Sequence, residues 1–360
     1  MIPINQSRLK TVTENMKKAG LPQILVTNTA SVYYLTGLWV EPMERMMALH
    51  ICADGECALF GNALFGWTPG GDAMLYTHTD ADDPLRDLVR VLRAGDLGVD
   101  KTWPCRFVLG LMEQRPDVTV KLGSGPVDEA RMYKDADEIA ALRHASSVND
   151  AVMAASLEAL HAGVTEAEMA AEIERQYRLH GAQRPPEGVI ASFGANAADP
   201  HHGPSGAVLQ AGDSVVFDIY TPVRQYWCDM TRTVFFGRAD DEQRRVYELV
   251  RQANCAAEKA VRPGMEMCEI DAVARNLITA GGYGPQFTHR LGHGLGIDCH
   301  EPPDNSASDH TVVKPGMVFS IEPGIYLPGR FGVRVEDLVL VTQDGCEVLN
   351  HYTKDLQILP

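Results

Sequence analysis

The apolar and polar positions along the chain fall into two regimes. From residue 5 to about 125, helix and strand signals alternate. The polar stretch from Gln6 to Ala19 reads as a helix stopped by Gly20, and QILVT as a strand behind it. MMALHICADGECALFG reads as two strands about an Asp54-Gly55 turn. Leu85 to Leu92 has the spacing of an amphipathic helix, and LGVD and VTVKLG supply further strands. The stretch GSGPVDEARMYKDADEI is rich in Gly, Pro and charge, which places a linker at about residues 126–136.

A second regime opens behind it. Asp135 with Glu138, and Thr165 with Glu168, are helix-start signals, and Met169, Ile173 and Tyr177 recur on one helical face. A second helix pair is expected from about Asp241 to Val261 and from Glu266 to Ala280. Each pair is followed by strand runs: SVVFDIY and TRTVFFG after the first, MVFSIEPGIY and GVRVEDLVLV after the second. Helix pair then strands, twice over, points to an internal duplication.

Composition narrows the class. Of 360 residues, 45% are hydrophobic and 22% charged, as in ordinary globular chains, and the length favours two domains. A formal net charge of −16 makes nucleic acid and anionic membrane unsuitable partners. No run of apolar residues is long enough to span a membrane, and the N-terminus has no apolar signal core. The 8 cysteines form no CxxC pair, which fits reduced thiols and a cytoplasmic location. Cys299 is weighed as a nucleophile, with a small buried residue as the plainer reading.

Chemistry concentrates in the strands of the second regime. Asp218 stands at the end of an apolar strand and Asp229 eleven positions later. Glu322 and Glu336 also sit in apolar, β-rich runs. Four carboxylates buried together repel unless protons or cations neutralise them. Arg232 and Arg334 are the arginines at hand, too few for four acids. His293, in GHGLGIDCHEPP, adds an imidazole. Such a set suits Mn²⁺, Co²⁺, Zn²⁺ or Fe²⁺, and two divalent ions would balance four carboxylates. HEPPD is not an H-E-x-x-H helix motif, because Pro302 and Pro303 forbid a helix interior. GHGLG lacks the spacing of a dinucleotide loop.

The ordered set D-x10-D-M-T-R-T, G-H-G-x-G with H-E-P-P, S-I-E-P-G and G-V-R-V-E-D resembles the metal-dependent pita-bread peptidases over about residues 125 to 350. SVYYLTGL and MYKDADEIAALRHA resemble their proline-specific branch, the Xaa-Pro dipeptidases (prolidases) and aminopeptidase P. The resemblance implies an α+β chain: a creatinase-like α/β domain over 1–125, the linker, and a pita-bread catalytic domain over 137–360 with pseudo-twofold helix-pair and strand repeats. It implies two divalent ions per chain (Mn²⁺, Co²⁺ or Zn²⁺), with Asp218 on one, Asp229 and Glu336 bridging, and His293 and Glu322 on the other. Their bridging hydroxide would cleave the bond before proline in a dipeptide or short peptide. Glu322 would shuttle the proton, and His201 and His300 would hold substrate and stabilise the oxyanion. Arg334 and Thr231 would support the ligands from behind. A homodimer is also implied.

Other positions receive plainer readings. His50 and His78 are read as structural, His202 as a bystander, and His289 as a structural donor near the metal ligands. His144, His161 and His180 are read as surface or core histidines. Tyr220 departs from the family pattern, where glycine is common two positions after the first ligand. Arg290 and Arg330 are the cations considered for a dipeptide carboxylate. The expected activity is that of a Xaa-Pro dipeptidase. The alternatives are aminopeptidase P, a metal-free creatinase-like hydrolase, a lyase acting on small sulfonium substrates, and a peptidase-like binding module.

Overall fold

The computed structural model describes residues 2–184 and 188–360, which divide into two compact units between Arg131 and Met132. In the first unit, helix α1 (Gln6–Ala19) is capped by Asn5 and closed by Gly20 at φ 69°. Strand β1 (Gln23–Val26), helix α2 (Thr29–Thr36), strands β2 (Ala48–Cys52), β3 (Cys57–Asn62) and β4 (Met74–His78), helix α3 (Leu88–Val91), strand β5 (Gly95–Val99), helix α4 (Cys105–Gln114) and strand β6 (Val118–Leu122) follow. The strands form a sheet in the order β4-β3-β2-β1-β5-β6, with β2 antiparallel to β1 and β3 and the other pairs parallel. The helix expected from Leu85 to Leu92 is regular only over Leu88–Val91, although Leu85, Leu88 and Leu92 are all buried as the spacing requires.

The stretch read as a linker, 126–136, contains the boundary between the two units and begins within a helix. Gly125–Met132 is a helix, α5, with Val127 and Ala130 buried. Gly125 and Pro126 sit in its first turn, where proline's missing N–H breaks no helical bond. They mark a helix start.

The second unit holds two helix pairs. Helices α6 (Ala136–Glu158) and α7 (Glu166–Leu179) both begin with reciprocal capping boxes, from Asp135 with Glu138 and from Thr165 with Glu168. Met169, Ile173 and Tyr177 are fully or almost fully buried, each contributing roughly 1.5–3 kcal/mol by leaving water. This pair packs on strands β7 (Ile190–Phe193), β8 (Ser214–Val223) and β9 (Tyr226–Phe236). Helices α8 (Asp241–Ala260) and α9 (Met267–Ala280) pack on a second group of strands: β10 (Gly292–Gly294), β11 (Glu301–Asn305), β12 (Val318–Ile321), β13 (Gly324–Leu327), β14 (Phe331–Arg334), β15 (Asp337–Val341) and β16 (Cys346–Val348). Strand β17 (Ile358–Leu359) returns to pair with β9.

The duplication is visible in the hydrogen bonds. Asn149 on α6 donates to the Ile219 carbonyl beside Asp218, and Asn254 on α8 donates to the Ile321 carbonyl beside Glu322. Both asparagines are buried, so each bond satisfies a backbone oxygen that water does not reach. Each half thereby fixes the backbone next to one acid.

Two expected strands are each broken. MVFSIEPGIY splits into β12 and β13 at Glu322-Pro323, and GVRVEDLVLV splits into β14 and β15 at Val335-Glu336. Ile321 pairs with Asp337 and Gly324 with Arg334, so the breaks lie opposite one another in a bent hairpin. Proline cannot donate to a sheet ladder, so Pro323 ends regular pairing there. Glu322 and Glu336 occupy the bend and not strand interiors.

Candidate active site

Strand geometry assembles the first half of the site. Along β8, residues two apart share a face, and the register pairs Asp218 with Thr231 and Tyr220 with Asp229. Asp218, Tyr220, Asp229 and Thr231 therefore project together. The bend between β12 and β13 brings in Glu322, and the one between β14 and β15 brings in Glu336, whose N–H donates to the Thr231 carbonyl at 3.1 Å. His293 comes from β10. Gly292 and Gly294 flank it because a Cβ there would lie 2.1 Å from the Ser320 carbonyl oxygen and 2.5 Å from that of Pro302. The glycines admit neighbouring strands; HEPP itself lies in β11.

These residues line a cavity of about 360 Å³. His201, Asp218, Tyr220, Asp229, His289, Arg290, His293, Cys299, His300, Glu322, Arg334 and Glu336 all face it. Thr231 lies behind, donating its hydroxyl to Glu336 Oε2 at 2.7 Å and accepting from Arg334 Nε at 3.0 Å. Arg334 Nη2 meets Asp218 Oδ2 at 2.6 Å. The guanidinium thus serves the first acid, and reaches Glu336 only through Thr231. Arg232 is turned away, pairing with Asp337 at 2.6 Å.

The imidazole of His293 is oriented by its own strand. Nδ1 faces the Gly294 carbonyl at 3.1 Å, an acceptor, so the proton sits on Nδ1 and the lone pair on Nε2. That lone pair points at Glu322 Oε1, 3.5 Å away, and Asp229 Oδ2, 3.8 Å away. The Ser320 hydroxyl links His293 and Glu322, accepting from the His293 N–H at 3.0 Å and donating to Glu322 Oε1 at 3.1 Å. Ser320 was missed in the sequence, although its place two residues before Glu322 puts it on the same face.

Two tests on these atoms ask whether a cation fits. Asp218 Oδ1, Asp229 Oδ1 and Glu336 Oε1 are buried with no hydrogen-bond partner among the described residues. One donor atom each from Asp229, His293 and Glu336 also lies within 4.8 Å of the others. Buried oxygens without donors, facing a nitrogen lone pair, are costly unless a shared cation satisfies them. The residues fit divalent metal.

The same crowding shifts the acids. Burial first, then the charges of Asp218 and Glu322, holds the Asp229 carboxyl well above its usual range. Burial and the charge of Asp229 do the same to Glu336. Burial pushes Glu322 up to about 7 despite the opposing Arg334 charge, and pushes His293 down to about 3. An acid whose folded pKa is raised stabilises the fold below its unfolded pKa and loses that stabilisation as pH rises through the folded value. Metal-free protein is therefore expected to lose stability between about pH 4.5 and 7 and beyond, while metal binding strengthens as the ligands deprotonate. The rise in Tm on adding Mn²⁺ should grow from pH 5 to pH 8; a pH-independent rise would contradict this.

Several other readings change. His202 is no bystander: its Nε2 lies 3.1 Å from Glu166 Oε2. Glu166 is fully buried at the start of α7 and also accepts from the N–H groups of Phe193 and Ser205. This knot fixes the loop that carries His201 to the cavity rim. His289 accepts from the Tyr326 hydroxyl at 2.9 Å, and Tyr326 accepts from Arg334 Nη1 at 2.8 Å. Tyr326 is a second missed residue, extending the chain of contacts behind Asp218. Arg330 is absent from the cavity wall and pairs with Glu242. The Cys299 thiol sits 3.8 Å from Asp229 Oδ2, and burial then that carboxylate hold it well above the usual range, in keeping with the plainer reading of a small buried residue. Tyr220 donates to the Gly188 carbonyl at 2.7 Å, forming a wall beside Asp218 and Asp229.

Comparison with known proteins agrees with this geometry. Residues 140–343 match metallopeptidase family M24, and residues 8–133 match the creatinase/prolidase N-terminal domain. The chain is 36% identical to a Xaa-Pro dipeptidase of Lactobacillus delbrueckii subsp. lactis, over 96% of this chain and 97% of that protein. Among solved structures, a dipeptidase from Pyrococcus horikoshii OT3 superposes with a TM-score of 0.93 at 32% identity, covering 98% of this chain and 100% of the other. A prolidase from Thermococcus sibiricus gives 0.92 at 32% identity, with both chains fully covered. The family uses divalent metal, which is what the unpartnered carboxylate oxygens call for. With a creatinase/prolidase N-terminal domain ahead of its peptidase domain, this chain belongs to metallopeptidase family M24.

Proposed function

We propose that the protein is a Xaa-Pro dipeptidase whose five ligands, Asp218, Asp229, His293, Glu322 and Glu336, hold two divalent ions, Mn²⁺, Co²⁺ or Zn²⁺. The observation that carries this reading is that buried carboxylate oxygens of Asp218, Asp229 and Glu336 lack partners among the described residues, while donor atoms of Asp229, His293 and Glu336 lie within 4.8 Å of one another. Asp229 and Glu336, whose donor atoms lie within 4.8 Å of each other and of His293, would bridge, as the family resemblance implies. Bound ions would supply charge neutralisation, a lowered pKa for water and polarisation of the scissile carbonyl. Glu322 would take the proton from the attacking water and return it to the leaving proline nitrogen. His201 and His300 donate to the carbonyl oxygen as it gains charge. The Arg334–Thr231 pair holds Asp218 and Glu336 in place, Arg334 donating to Asp218 and to Thr231, and Thr231 donating to Glu336.

The dipeptidase reading over aminopeptidase P rests on Arg290. It lines the cavity, where a free dipeptide carboxylate would meet a cation, and its present partner is the exposed Asp304. The named Lactobacillus, Pyrococcus and Thermococcus proteins favour the same reading. Ala-Pro, Ala-Pro-Ala and Ala-Ala, assayed with Mn²⁺, separate the alternatives. We expect Ala-Pro to be cleaved fastest; faster cleavage of Ala-Pro-Ala would mean aminopeptidase P, and no cleavage would defeat the peptidase reading. Arg290→Ala should lower kcat/KM for Ala-Pro by about 10- to 100-fold, the size of a charged hydrogen bond, and spare Ala-Pro-Ala. Equal losses on both peptides would remove Arg290 from carboxylate recognition.

A cytoplasmic homodimer completes the proposal. Two facts support the location: all eight cysteines are free thiols, and no helix among the described residues is long and apolar enough to cross a membrane.

A further inference from the structure

Away from the cavity, metal-ligand atoms also gather at the start of α9. Glu266 is the residue that caps this helix, Cys268 is in its first turn, and His310 comes from the segment between β11 and β12. Cys268 Sγ lies 3.5 Å from Glu266 Oε2 and 3.6 Å from His310 Nδ1. His310 Nδ1 lies 2.7 Å from Glu266 Oε2. A tetrahedral ion with bonds of about 2.3 Å to sulfur and about 2.0–2.1 Å to nitrogen and oxygen spaces sulfur from either at about 3.6 Å, and nitrogen from oxygen at about 3.4 Å. Both sulfur distances already match that geometry. The nitrogen–oxygen pair is a hydrogen bond that would open by about 0.6–0.7 Å around an ion with those bond lengths.

The backbone holds these donors in register. Met267 N–H donates to the Thr311 carbonyl at 3.1 Å, Cys268 N–H to Asp309 at 2.9 Å, and Val313 N–H to Met265 at 2.7 Å. The duplicated half makes the same zip, with Glu166 N–H to Ala207 at 3.1 Å, Ala167 to Ser205 at 2.9 Å and Leu209 to Val164 at 2.9 Å. There the corresponding residues are Thr165, Ala167 and Gly206. The corner therefore closes without thiol or imidazole, and the three donors are an addition that the fold does not require.

We propose that Glu266, Cys268 and His310 form a surface site for one borderline divalent cation of the zinc class, distinct from the catalytic pair, with water as fourth ligand. Thiolate, imidazole and carboxylate together select zinc-like ions over Mn²⁺ or Mg²⁺. Ionised Glu266 and Cys268 balance a 2+ ion. The positive N-terminal end of α9 opposes the cation but favours these anionic ligands. Binding displaces the Cys268 thiol proton to solvent, moves the His310 Nδ1 proton through solvent to Nε2 (or to solvent where both nitrogens are protonated), and replaces the His310–Glu266 hydrogen bond by two metal bonds; no electron moves.

The test is made on the full chain and does not depend on the peptidase reading. After equilibration with Zn²⁺ and removal of excess, wild type should retain one more zinc per chain than Cys268→Ala or His310→Ala. With Co²⁺, wild type should show a near-ultraviolet thiolate charge-transfer band that both variants lose and Cys299→Ala, beside Asp229, keeps. Unchanged circular dichroism in the Cys268 and His310 variants would establish that they are folded. Equal zinc in wild type and Cys268→Ala, or a cobalt band that survives in Cys268→Ala and vanishes in Cys299→Ala, would overturn the site.

Discussion

Replacing Glu336 by alanine is expected to empty at least one metal position and to reduce Ala-Pro hydrolysis by well over about 100-fold, since removing an outer-shell partner alone costs about 10–100-fold. Glu336 is 1% exposed, with one oxygen bound by Thr231 and the other lacking any partner among the described residues. If it bridges, both ions lose a ligand at once. Stability gives the result a second, opposite sign. In metal-free protein Glu336 is one of several acids repelling each other, so its removal should weaken the pH-dependent loss of stability above about pH 4.5. Metal-loaded wild type should be more stable than metal-loaded Glu336→Ala, while the metal-free pair should draw together or reverse above neutrality. Unchanged metal per chain, measured by elemental analysis, would rule out a bridging role.

His300→Ala is expected to keep the metals and lose roughly 10²–10³ in kcat, the range for a donor to a developing oxyanion. The His300 ring packs edge-on against His293, centroids 4.1 Å apart, at the mouth of the cavity. Burial, then the charge of Arg290, lowers its pKa from the usual histidine value, which favours the neutral ring, whose N–H can donate without adding charge to the site. A purely supporting role would show as loss of metal, because His293 would lose its neighbour. An unchanged kcat would remove His300 from catalysis altogether.

Much of this site was legible because strand geometry is simple. Asp218 and Asp229 in one apolar hairpin converge once the register is set, and costly acids in apolar runs signal a cation. The duplicated helix pairs were legible from the capping boxes and from Met169, Ile173 and Tyr177. Other features depended on tertiary context. Pro323 splits what reads as one strand, so the bend that aims Glu322 and Glu336 had no periodic signal. Arg334 lies two residues from Glu336, yet its strongest partner, Asp218, is 116 positions away in sequence. His202 was read as a bystander because nothing near it in the sequence points to Glu166, its partner 36 positions away. Gly125-Pro126 was read as a break because glycine and proline mark both linkers and helix starts, and only the burial of Val127 and Ala130 separates the two.

The most direct measurement is anomalous scattering from a crystal of this protein grown with excess Mn²⁺. The account predicts two strong peaks enclosed by Asp218, Asp229, His293, Glu322 and Glu336, with Asp229 and Glu336 touching both. A map with no anomalous density among these five side chains, or with the four carboxylates spread apart around ordinary solvent, would contradict it.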